Sequence, residues 1–319
     1  MNIVLTGASG FIGGAFLRRF ANVPGLSLCG VGRRSVRDLP ASVRYYNLPL
    51  DRLGEINVAP DVVIHAAGRA SPWGTAREYY CDNVQTTEWV IDFCLARGLP
   101  RLIFLSTAAV YYRFAHQYHL TEDAIVGPAF TSEYGRSKYL AEQRVGQYSG
   151  EKTIFRPCGV FGAGDKLLFP PLLDAARKKR LINLHSESPA QAELLSVDIL
   201  CDYLLQAATA PQVRSCYNIS AAHPVATRDL LHEVLSRLDL PPPTRTLSAT
   251  AALRFAGALE WCWRKLLLPG EPPITRFGIG VFSYSAVLDV SRMLADFGAP
   301  KVAFDDCLSQ FLQQYKAQQ

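Results

Sequence analysis

The amino-acid sequence predicts an α/β fold: a doubly wound parallel sheet with helices on both faces, followed by a smaller, mostly helical C-terminal lobe. Short apolar runs alternate with helical segments through the first half of the chain, which is the pattern of parallel strands joined by helices. A glycine-rich turn joins the first of these strands to the first helix. After Pro157 the alternation ends, and clusters of prolines divide the rest into helices and loops.

The predicted elements follow from hydrophobic periodicity along the chain. Strands are expected at residues 3–6, 26–31, 43–46, 62–66, 102–106 and 153–155, and helices at residues 10–20, 83–97 and 134–148. We expect residues 216–219 to form a late strand, and residues near 195–220 to return to the main sheet. The expected division is a sheet domain at 1–165 and a substrate-binding lobe at 166–319. Ligands of such a fold bind at the carboxyl ends of its strands.

Composition and charge are those of an ordinary globular protein. The chain has 319 residues, of which 49% are hydrophobic, and its net charge of +5 spreads over the whole length. The densest basic run, residues 177–180, ends a predicted helix and contains no aromatic residue. We interpret this run as a solvated helix end and expect no nucleic-acid partner. His116 and His119 have no cysteine or acidic cluster to complete a ligand set, so no metal is expected.

The eight cysteines include no C-x-x-C pair and mostly lie in apolar stretches, which favours a reduced, cytoplasmic protein over a disulfide scaffold. No signal-peptide pattern precedes the first strand. The most apolar stretch, residues 251–268, contains Arg254, Glu260, Arg264 and Lys265, whereas a spanning helix needs about 20 apolar residues. We therefore expect no transmembrane segment, and docking on a membrane surface stays open.

The turn T-G-A-S-G-F-I-G at residues 6–13 is the predicted phosphate-binding site. Gly7 permits a tight turn, Gly10 lets the backbone approach a pyrophosphate, and Gly13 allows the helix to pack on the strand. The helix N-terminus adds amide donors and a favourable dipole. The dinucleotide site is therefore expected to include Gly7, Ser9, Gly10, Phe11, Ile12 and Gly13.

The second strand ends Val31-Gly32-Arg33-Arg34, and this sequence bears on the choice of cofactor. No carboxylate is present to hold the adenosine ribose of NAD, and the nearest acid is Asp38. Two guanidinium groups at this position suit the 2′-phosphate of NADP, although an exposed basic loop is the alternative. We therefore predict NADP as the cofactor, with NAD less favoured.

The carboxyl ends of later strands supply further candidate contacts with the cofactor. An asparagine after the third strand can meet the adenine, small residues after the fourth leave room for the cofactor backbone, and the strand at 153–155 ends beside the expected nicotinamide position. His65, in the fourth strand, is interpreted as a structural hydrogen-bonding residue. The contacts expected on these grounds are Asn47, Leu48, Ala66, Ala67, Gly68, Pro157 and Val160.

Tyr134 and Lys138 lie four residues apart on a predicted helix and therefore share one face of it. A lysine charge beside the phenol favours phenolate, so we expect the pKa of the tyrosine to fall from about 10 toward neutrality. Such a phenol suits general acid/base work on an alcohol–carbonyl pair. Thr107, after the fifth strand, can donate a hydrogen bond to the substrate oxygen, or alternatively cap its turn. Together with the glycine turn, these residues predict a nicotinamide-dependent oxidoreductase.

These motifs resemble the extended short-chain dehydrogenase/reductase family, of the NAD-dependent epimerase/dehydratase type with a Rossmann fold. The likeness covers the first 165 residues well, and residues 195–198 and 217–219 more loosely. It implies that Tyr134 is the catalytic acid/base, that Lys138 also holds the nicotinamide ribose, and that Thr107 takes a Ser/Thr position. Asn83 matches a position that supports the active site, whereas Asn47 stands where an Asp is more usual. The resemblance also suggests a homodimer through helices 83–97 and 134–148.

Departures from the family patterns bear on the substrate. Ala108 and Ala109 follow Thr107 where dehydratases carry an Asp-Glu pair, and residues 191–195 lack the arginine typical of sugar-nucleotide epimerases. The aromatic stretch at 251–268 resembles the 3β-hydroxysteroid dehydrogenase branch. It is expected to wall an apolar substrate pocket, to form an interface, or to belong to the core.

The predicted function is that of an NAD(P)(H)-dependent alcohol dehydrogenase or ketoreductase that acts on a small, hydrophobic hydroxy or keto substrate. Two alternatives stay open. One is a nucleotide-sugar 4-epimerase or reductase, which would use the same three side chains. The other is a protein that binds NADP without catalysis, against which the intact pair of Tyr134 and Lys138 argues.

Overall fold

A computed structural model describes residues 1–185 and 188–317 of the protein. The strands in these ranges are β1 (Asn2–Thr6), β2 (Ser27–Gly32), β3 (Arg44–Asn47), β4 (Val62–His65), β5 (Arg101–Leu105), β6 (Gln117–Leu120), β7 (Lys152–Pro157), β8 (Gly159–Phe161), β9 (Ile182–His185), β10 (Gln191–Ala192), β11 (Leu194–Ser196), β12 (Cys216–Ile219), β13 (Val225–Ala226), β14 (Arg245–Ser248) and β15 (Ala286–Leu288).

The helices in the same ranges are α1 (Phe11–Phe20), α2 (Ala76–Tyr79), α3 (Thr86–Ala96), α4 (Glu133–Gly146), α5 (Phe169–Arg177), α6 (Val197–Thr209), α7 (Thr227–Arg237), α8 (Ala249–Lys265), α9 (Arg276–Ser283), α10 (Ser291–Phe297) and α11 (Phe304–Ala317). Short 3-10 segments occur at Leu50–Glu55 and Ala108–Val110, and Tyr80–Gln85 is π-helical. Most predicted elements agree with these bounds to within one or two residues at each end, the usual uncertainty of helix and strand ends.

The main sheet confirms the predicted fold class. Within the described residues it has seven strands in the order β12-β7-β5-β4-β1-β2-β3, and all of its neighbours pair in parallel. The order reverses between β1 and β4, where Thr6 pairs with His65. Ligands of doubly wound sheets bind at this reversal, outside the carboxyl ends of the strands. The glycine turn after β1 and residues 66–68 after β4 both lie there.

Helices bury apolar side chains on both faces of the sheet. On one face, α1 and α6 contribute Phe16 and Leu200 to a large cluster, in which α11 places Phe311. On the other face, α3 and α4 contribute Phe93 and Val145 to a second cluster. Each such fully buried side chain stabilises the fold by about 1.5–3 kcal/mol. The sheet is therefore packed between two layers of helices, which fix the position of the strand ends at its carboxyl edge.

The helical segment that contains the predicted helix 83–97 begins earlier than expected, at Ala76, and runs through α2 and the π-helical turn into α3. Thr75 starts α2 with a capping box, since its hydroxyl accepts a hydrogen bond from the backbone of Glu78 and the Glu78 carboxylate accepts one from the backbone of Thr75. The T-x-x-E pattern at 75–78 is a start signal that the prediction missed. Asn83 consequently lies inside the π-helical turn rather than at a helix start. Single π-helical turns are common at functional sites.

The C-terminal part of the chain joins the sheet at one edge and adds small sheets around it. β12 pairs with β7, so residues 216–219 form the last strand of the main sheet. Two-stranded sheets join β8 with β11, β9 with β14, β6 with β15, and β10 with β13. The helices α8 and α9 pack against each other. Among the described residues, no helix combines the length and the apolar character needed to cross a bilayer.

Candidate active site

The glycines after β1 allow an unusually close approach of backbone segments. Gly7 has a φ of +75°, and a Cβ there would lie 2.7 Å from the backbone nitrogen of Ala67. A Cβ on Gly13 would lie 2.4 Å from the carbonyl oxygen of Gly7 and 2.9 Å from the Leu5 side chain. The role predicted for Gly13, close packing of α1 on β1, is confirmed. Any larger residue at these two positions would push the turn away from β4.

The N-terminus of α1 has the properties of a phosphate site. Gly10 is the N-cap residue, no side chain in the described part of the chain caps it, and the first turn, Phe11–Gly14, contains no acid. The amide donors and the positive end of the helix dipole therefore face the reversal point of the sheet without a protein anion. This arrangement fits the pyrophosphate of a dinucleotide. The Phe11 ring faces the loop after β8, within 3.5 Å of the position that a Cβ on Gly164 would take.

The end of β2 lies against the glycine turn. A Cβ on Gly32 would lie 2.8 Å from the Ser9 hydroxyl oxygen, and Arg34 donates a hydrogen bond to the Ser9 carbonyl at 2.6 Å. Arg33 has an exposed side chain that lies 3.7 Å from the Asp82 carboxylate. One cation, Arg34, therefore meets the turn, and a second, Arg33, lies beside it near the expected position of an adenosine ribose in a doubly wound sheet.

The two residues predicted to flank adenine follow the same edge of the sheet. Asn47 pairs with Gly32 in the register of β3 and β2, and its amide group lies 3.1 Å from the Ser35 hydroxyl. Leu48 packs against the core cluster that holds Leu50. Asn47 is thus near the Arg33 loop, whereas Leu48 is largely a packing residue.

Asn83 ties the loop after β4 to α4. Its side-chain oxygen accepts a hydrogen bond from the backbone of Arg69 at 2.6 Å, and its amide nitrogen donates to the Arg69 carbonyl at 3.1 Å and to the Ser137 hydroxyl at 2.8 Å. A Cβ on Gly68 would lie 2.7 Å from the Asn83 oxygen, so the loop needs glycine there. This buried network fixes the residue next to Lys138.

His65 is a structural residue, as interpreted from the sequence. Its ring nitrogens lie 2.7 Å from the Thr6 hydroxyl and 3.0 Å from the Thr87 hydroxyl. Burial, with a smaller contribution from the Lys138 charge, lowers its pKa to about 3. A fully buried, neutral imidazole between two hydroxyl groups joins β1, β4 and α3.

The first turn of α4 packs directly on the turn after β5. Ser132 caps α4 by accepting a hydrogen bond from the backbone of Gly135 at 3.1 Å. A Cβ on Gly135 would lie only 2.7 Å from the Ala109 carbonyl oxygen. Because the two backbones touch here, Tyr134 lies beside Thr107, and the interaction with the Thr107 hydroxyl lowers the pKa of the phenol.

Thr107 also has the capping role considered as its alternative. Its hydroxyl oxygen accepts a hydrogen bond from the Ala109 backbone at 3.1 Å. A threonine hydroxyl has one proton to donate and two lone pairs to accept. The Thr107 hydroxyl oxygen accepts from the Ala109 backbone, so the hydroxyl proton can be donated to a substrate atom beside Tyr134.

The predicted fall in the pKa of Tyr134 is wrong for the protein alone. Burial of the hydroxyl raises this pKa above its usual value of 10.0, and only Thr107 opposes the shift. Lys138 is itself buried, with its ammonium 4.2 Å from the centroid of the Phe104 ring. Desolvation lowers the pKa of Lys138 to about 7, against the opposing charge of Glu142. The cation expected to stabilise phenolate is thus only partly charged at neutral pH.

A buried ion pair that the sequence prediction missed supports this helix. Arg156 donates hydrogen bonds to both carboxylate oxygens of Glu142, at 3.0 and 2.6 Å. Ser106, next to Thr107, donates a third hydrogen bond to the same carboxylate. The group joins the ends of β5 and β7 to α4, one helical turn beyond Lys138. The sequence signal for this cluster was Glu142, which lies four residues after Lys138 and therefore on the same face of α4.

The other predicted contacts near the nicotinamide position lie at the end of β7 and in β8. Pro157 is buried and pairs with Ile219 of β12. Val160 is half-buried and pairs with Leu195 of β11. The two residues lie on the segment that continues from β7 into the loop that faces Phe11.

A small cavity of about 20 Å³, with mostly apolar walls that also include Arg113 and Gln191, lies between the turn after β5 and α9. Its walls include Tyr112, Thr131, Phe277 and Val281, and the rings of Tyr112 and Phe277 stack with centroids 6.0 Å apart. Burial raises the pKa of Tyr112, and Cys158 and Tyr134 add to this shift. Tyr112 therefore stands between α9 and the Tyr134 phenol.

The aromatic stretch at 251–268 is not a core segment at its most apolar positions. Phe255, Trp261 and Leu267 are 55%, 60% and 86% exposed. The core interpretation is wrong for these side chains, and the walls of the cavity beside Tyr112 come from other segments, including α9. His116 bonds to Ser285 at 2.9 Å, and no cluster of three or more metal-ligating residues occurs in the described residues.

Comparison with known proteins assigns the family. A profile described as the NAD dependent epimerase/dehydratase family matches residues 3–220. The chain belongs to this family. It is 31% identical to a 2-alkyl-3-oxoalkanoate reductase of Stenotrophomonas maltophilia, over 97% of either chain. It is 27% identical to the decarboxylating sterol-4-alpha-carboxylate 3-dehydrogenase of Schizosaccharomyces pombe, over 88% of this chain and 87% of that protein.

The fold also matches solved structures. The dTDP-glucose 4,6-dehydratase DesIV of Streptomyces venezuelae, with NAD bound, superposes with a TM-score of 0.77 at 18% identity, over 99% of this chain and 97% of that one. The predicted family, fold class and enzyme class, an oxidoreductase with a nicotinamide cofactor, are confirmed. The comparisons do not distinguish NADP from NAD.

The contact between Gly135 and Ala109 yields a first prediction. Gly135→Ala inserts a methyl group 2.7 Å from a backbone oxygen and moves the first turn of α4 away from β5. We expect a fall of about ten- to a hundredfold in kcat, because small displacements of reacting groups have such effects. Gly146→Ala in the same helix is the matched control, since no described atom lies within 4 Å of the added Cβ. Equal activity of the two variants in steady-state assays would contradict the packing argument.

Proposed function

We propose that the protein is an NADP(H)-dependent ketoreductase or alcohol dehydrogenase that acts on a hydrophobic hydroxy or keto substrate. One observation carries the proposal: the hydroxyl groups of Thr107 and Tyr134 are neighbours at the carboxyl edge of the sheet, one helical turn from the buried Lys138. Two adjacent hydroxyl groups can hold one carbonyl oxygen between them. A cofactor site at the same edge completes the requirements for hydride transfer.

In the reductive direction each side chain has one task. The bound nicotinamide supplies the hydride. Thr107 donates a hydrogen bond to the substrate oxygen, and Tyr134 gives that oxygen its phenolic proton. The raised pKa of Tyr134 keeps this proton in place until the oxygen becomes basic. Lys138, charged in part at neutral pH, stabilises the phenolate that remains.

The cofactor-binding residues are proposed from the same geometry. Residues 7–13 at the start of α1 would hold the pyrophosphate, and residues 66–68 would line its path. Lys138 would also bond the nicotinamide ribose, and Pro157 and Val160 would lie beside the nicotinamide. Arg33 and Arg34, with no carboxylate after β2, support NADP as the cofactor because a guanidinium pairs well with the 2′-phosphate.

The cavity beside Tyr112 supports an apolar substrate. Its volume of about 20 Å³ is enough for one water molecule, so its mostly apolar walls could border an apolar substrate but not enclose one. Three arginines of the C-terminal lobe, Arg254, Arg264 and Arg276, are candidates to hold a sugar diphosphate. Two of them lie over aromatic rings, Arg264 over the Trp73 ring and Arg276 over the Phe114 ring. Elimination of water lacks its acid and base, since Ala108 and Ala109 follow Thr107. The relatives described above act, by their names, on an alkyl keto acid and a sterol.

Organisation beyond the site is also proposed. Residues 1–165 would form the cofactor domain together with residues 195–220, which return to the main sheet. The rest of 166–319 would form the substrate lobe. Residues 186–187 and 318–319 of this lobe lie outside the described residues. A homodimer through α3 and α4 would cover the exposed side chain of Leu95 in α3. We further propose a cytoplasmic location.

The reaction is tested with a substrate panel. NADPH consumption should occur with a 2-alkyl-3-oxoalkanoate or a comparable apolar ketone, and not with UDP-glucose or dTDP-glucose. Tyr134→Phe should lower turnover by at least about a hundredfold, because it removes the general acid, and should leave NADPH binding unchanged. Tyr80→Phe removes an exposed phenol and should stay fully active. Turnover of only the nucleotide sugars would establish the epimerase or reductase alternative, and NADPH binding without any turnover would establish the non-catalytic one.

The cofactor preference has its own test. Arg33→Ala removes a charge-assisted contact with the 2′-phosphate, so the Kd for NADPH should rise about tenfold or more while the Kd for NADH changes little. Arg34→Ala should weaken both, because Arg34 also holds the Ser9 carbonyl. Titration calorimetry with each cofactor measures these constants. An equal rise for both cofactors in Arg33→Ala would show that this arginine does not recognise the phosphate.

A further inference from the structure

Five large apolar side chains in α8 and the segment directly after it are exposed to solvent. Trp261 is 60% exposed, and Leu266, Leu267 and Leu268 are 66%, 86% and 38% exposed. Phe255, 55% exposed, lies further back on α8. We call Phe255, Trp261 and Leu266–Leu268 the α8 edge. The three consecutive leucines, exposed next to Trp261, are the apolar centre of this edge, and exposed apolar side chains that cluster in this way can mark an interaction surface.

Basic side chains flank the α8 edge. Arg254, Arg264 and Lys265 are all exposed. The two acids of residues 249–275 are hydrogen-bonded: Glu260 accepts a hydrogen bond from the Arg276 backbone at 2.7 Å, and the exposed Glu271 accepts one from the Ser71 hydroxyl. The surface thus combines apolar side chains with positive charge, as interfacial amphipathic helices do.

Leu267 occupies a backbone position that favours glycine. Its φ is +48°, and the backbone of Leu268 donates a hydrogen bond to the Trp263 carbonyl at 3.1 Å, which ends α8 in a Schellman-type turn. Glycine is the usual residue at this position because it adopts the left-handed conformation without strain. A leucine here is strained and at the same time the most exposed residue of the α8 edge. The Leu267 side chain therefore adds little buried apolar area to the folded chain and occupies a backbone conformation that glycine would adopt more easily.

We propose that the α8 edge docks on the surface of an anionic lipid bilayer. The helix lies in the plane of the interface, with Trp261 and the three leucines at the boundary of the acyl chains and the basic side chains among the headgroups. A second copy of the chain fits this surface less well. In a two-fold interface the same patch faces itself, so two surfaces of the same positive charge would be brought together.

Docking would bring the proposed substrate cavity close to the lipid. α8 packs on α9, and α9 contributes Phe277 and Val281 to the cavity beside Tyr112. Binding to vesicles needs neither cofactor nor substrate, so its test is independent of the proposed reaction.

Co-sedimentation of the full chain with vesicles tests the proposal. The vesicles contain equal parts phosphatidylcholine and phosphatidylglycerol, with pure phosphatidylcholine as the neutral comparison. The wild-type chain should sediment with the anionic vesicles and less with the neutral ones. Leu267→Gly should weaken binding about tenfold, the effect of losing one inserted leucine side chain. The same variant should keep or raise the melting temperature, since glycine relieves the strained backbone.

A matched control separates this effect from general loss of exposed apolar surface. Ile125 is 88% exposed and lies outside the α8 edge, so Ile125→Asn should bind vesicles as the wild type does. The proposal is overturned if the wild-type chain stays in the supernatant with anionic vesicles, or if Leu267→Gly binds them equally well. It is also overturned if sedimentation velocity without lipid reveals a dimer that Leu267→Gly dissociates, because the α8 edge would then face a second copy.

Discussion

The direct backbone contact between the start of α4 and the turn after β5 is the constraint on which the site depends. Gly135 leaves no room for a side chain against the Ala109 carbonyl, so the phenol of Tyr134 is brought to the Thr107 hydroxyl. The Glu142–Arg156 ion pair joins α4 to β7, and Ser106 adds a hydrogen bond to Glu142 from the end of β5. Removing one partner of such a buried pair costs about 3–5 kcal/mol, because the other charge stays buried and unpaired. Packing and charge therefore fix the two hydroxyl groups together.

The sequence was sufficient to predict the architecture because periodicity and turn chemistry are local properties. Alternating strands and helices predicted the parallel sheet, and Gly7 and Gly13 lie at the close approaches that their motif requires. The missed start of the helix before Asn83 had a local signal, the Thr75–Glu78 capping box. The exposure of Trp261 and Leu267 had none, since an apolar helix reads alike whether its face is covered or not.

The electrostatics of the site could not be predicted from spacing alone. Residues 134 and 138 share a helix face, but the sequence does not report how deeply each charge is buried. Burial reverses the expected shift of Tyr134 and brings the pKa of Lys138 to about 7. The hydrogen bonds of Asn83 with Arg69 and Ser137 likewise depend on segments distant in sequence. Such terms arise only once the chain is folded.

The joint action of Thr107 and Tyr134 on one substrate oxygen is most directly measured by a double-mutant cycle. Thr107→Val and Tyr134→Phe, singly and together, are compared by kcat/KM with the substrate that the wild type reduces. Residues that act as one unit have strongly non-additive effects, so the double variant should be no slower than the slower single variant. If the two losses instead multiply as independent factors, the hydroxyl groups do not share one oxygen and the account is contradicted.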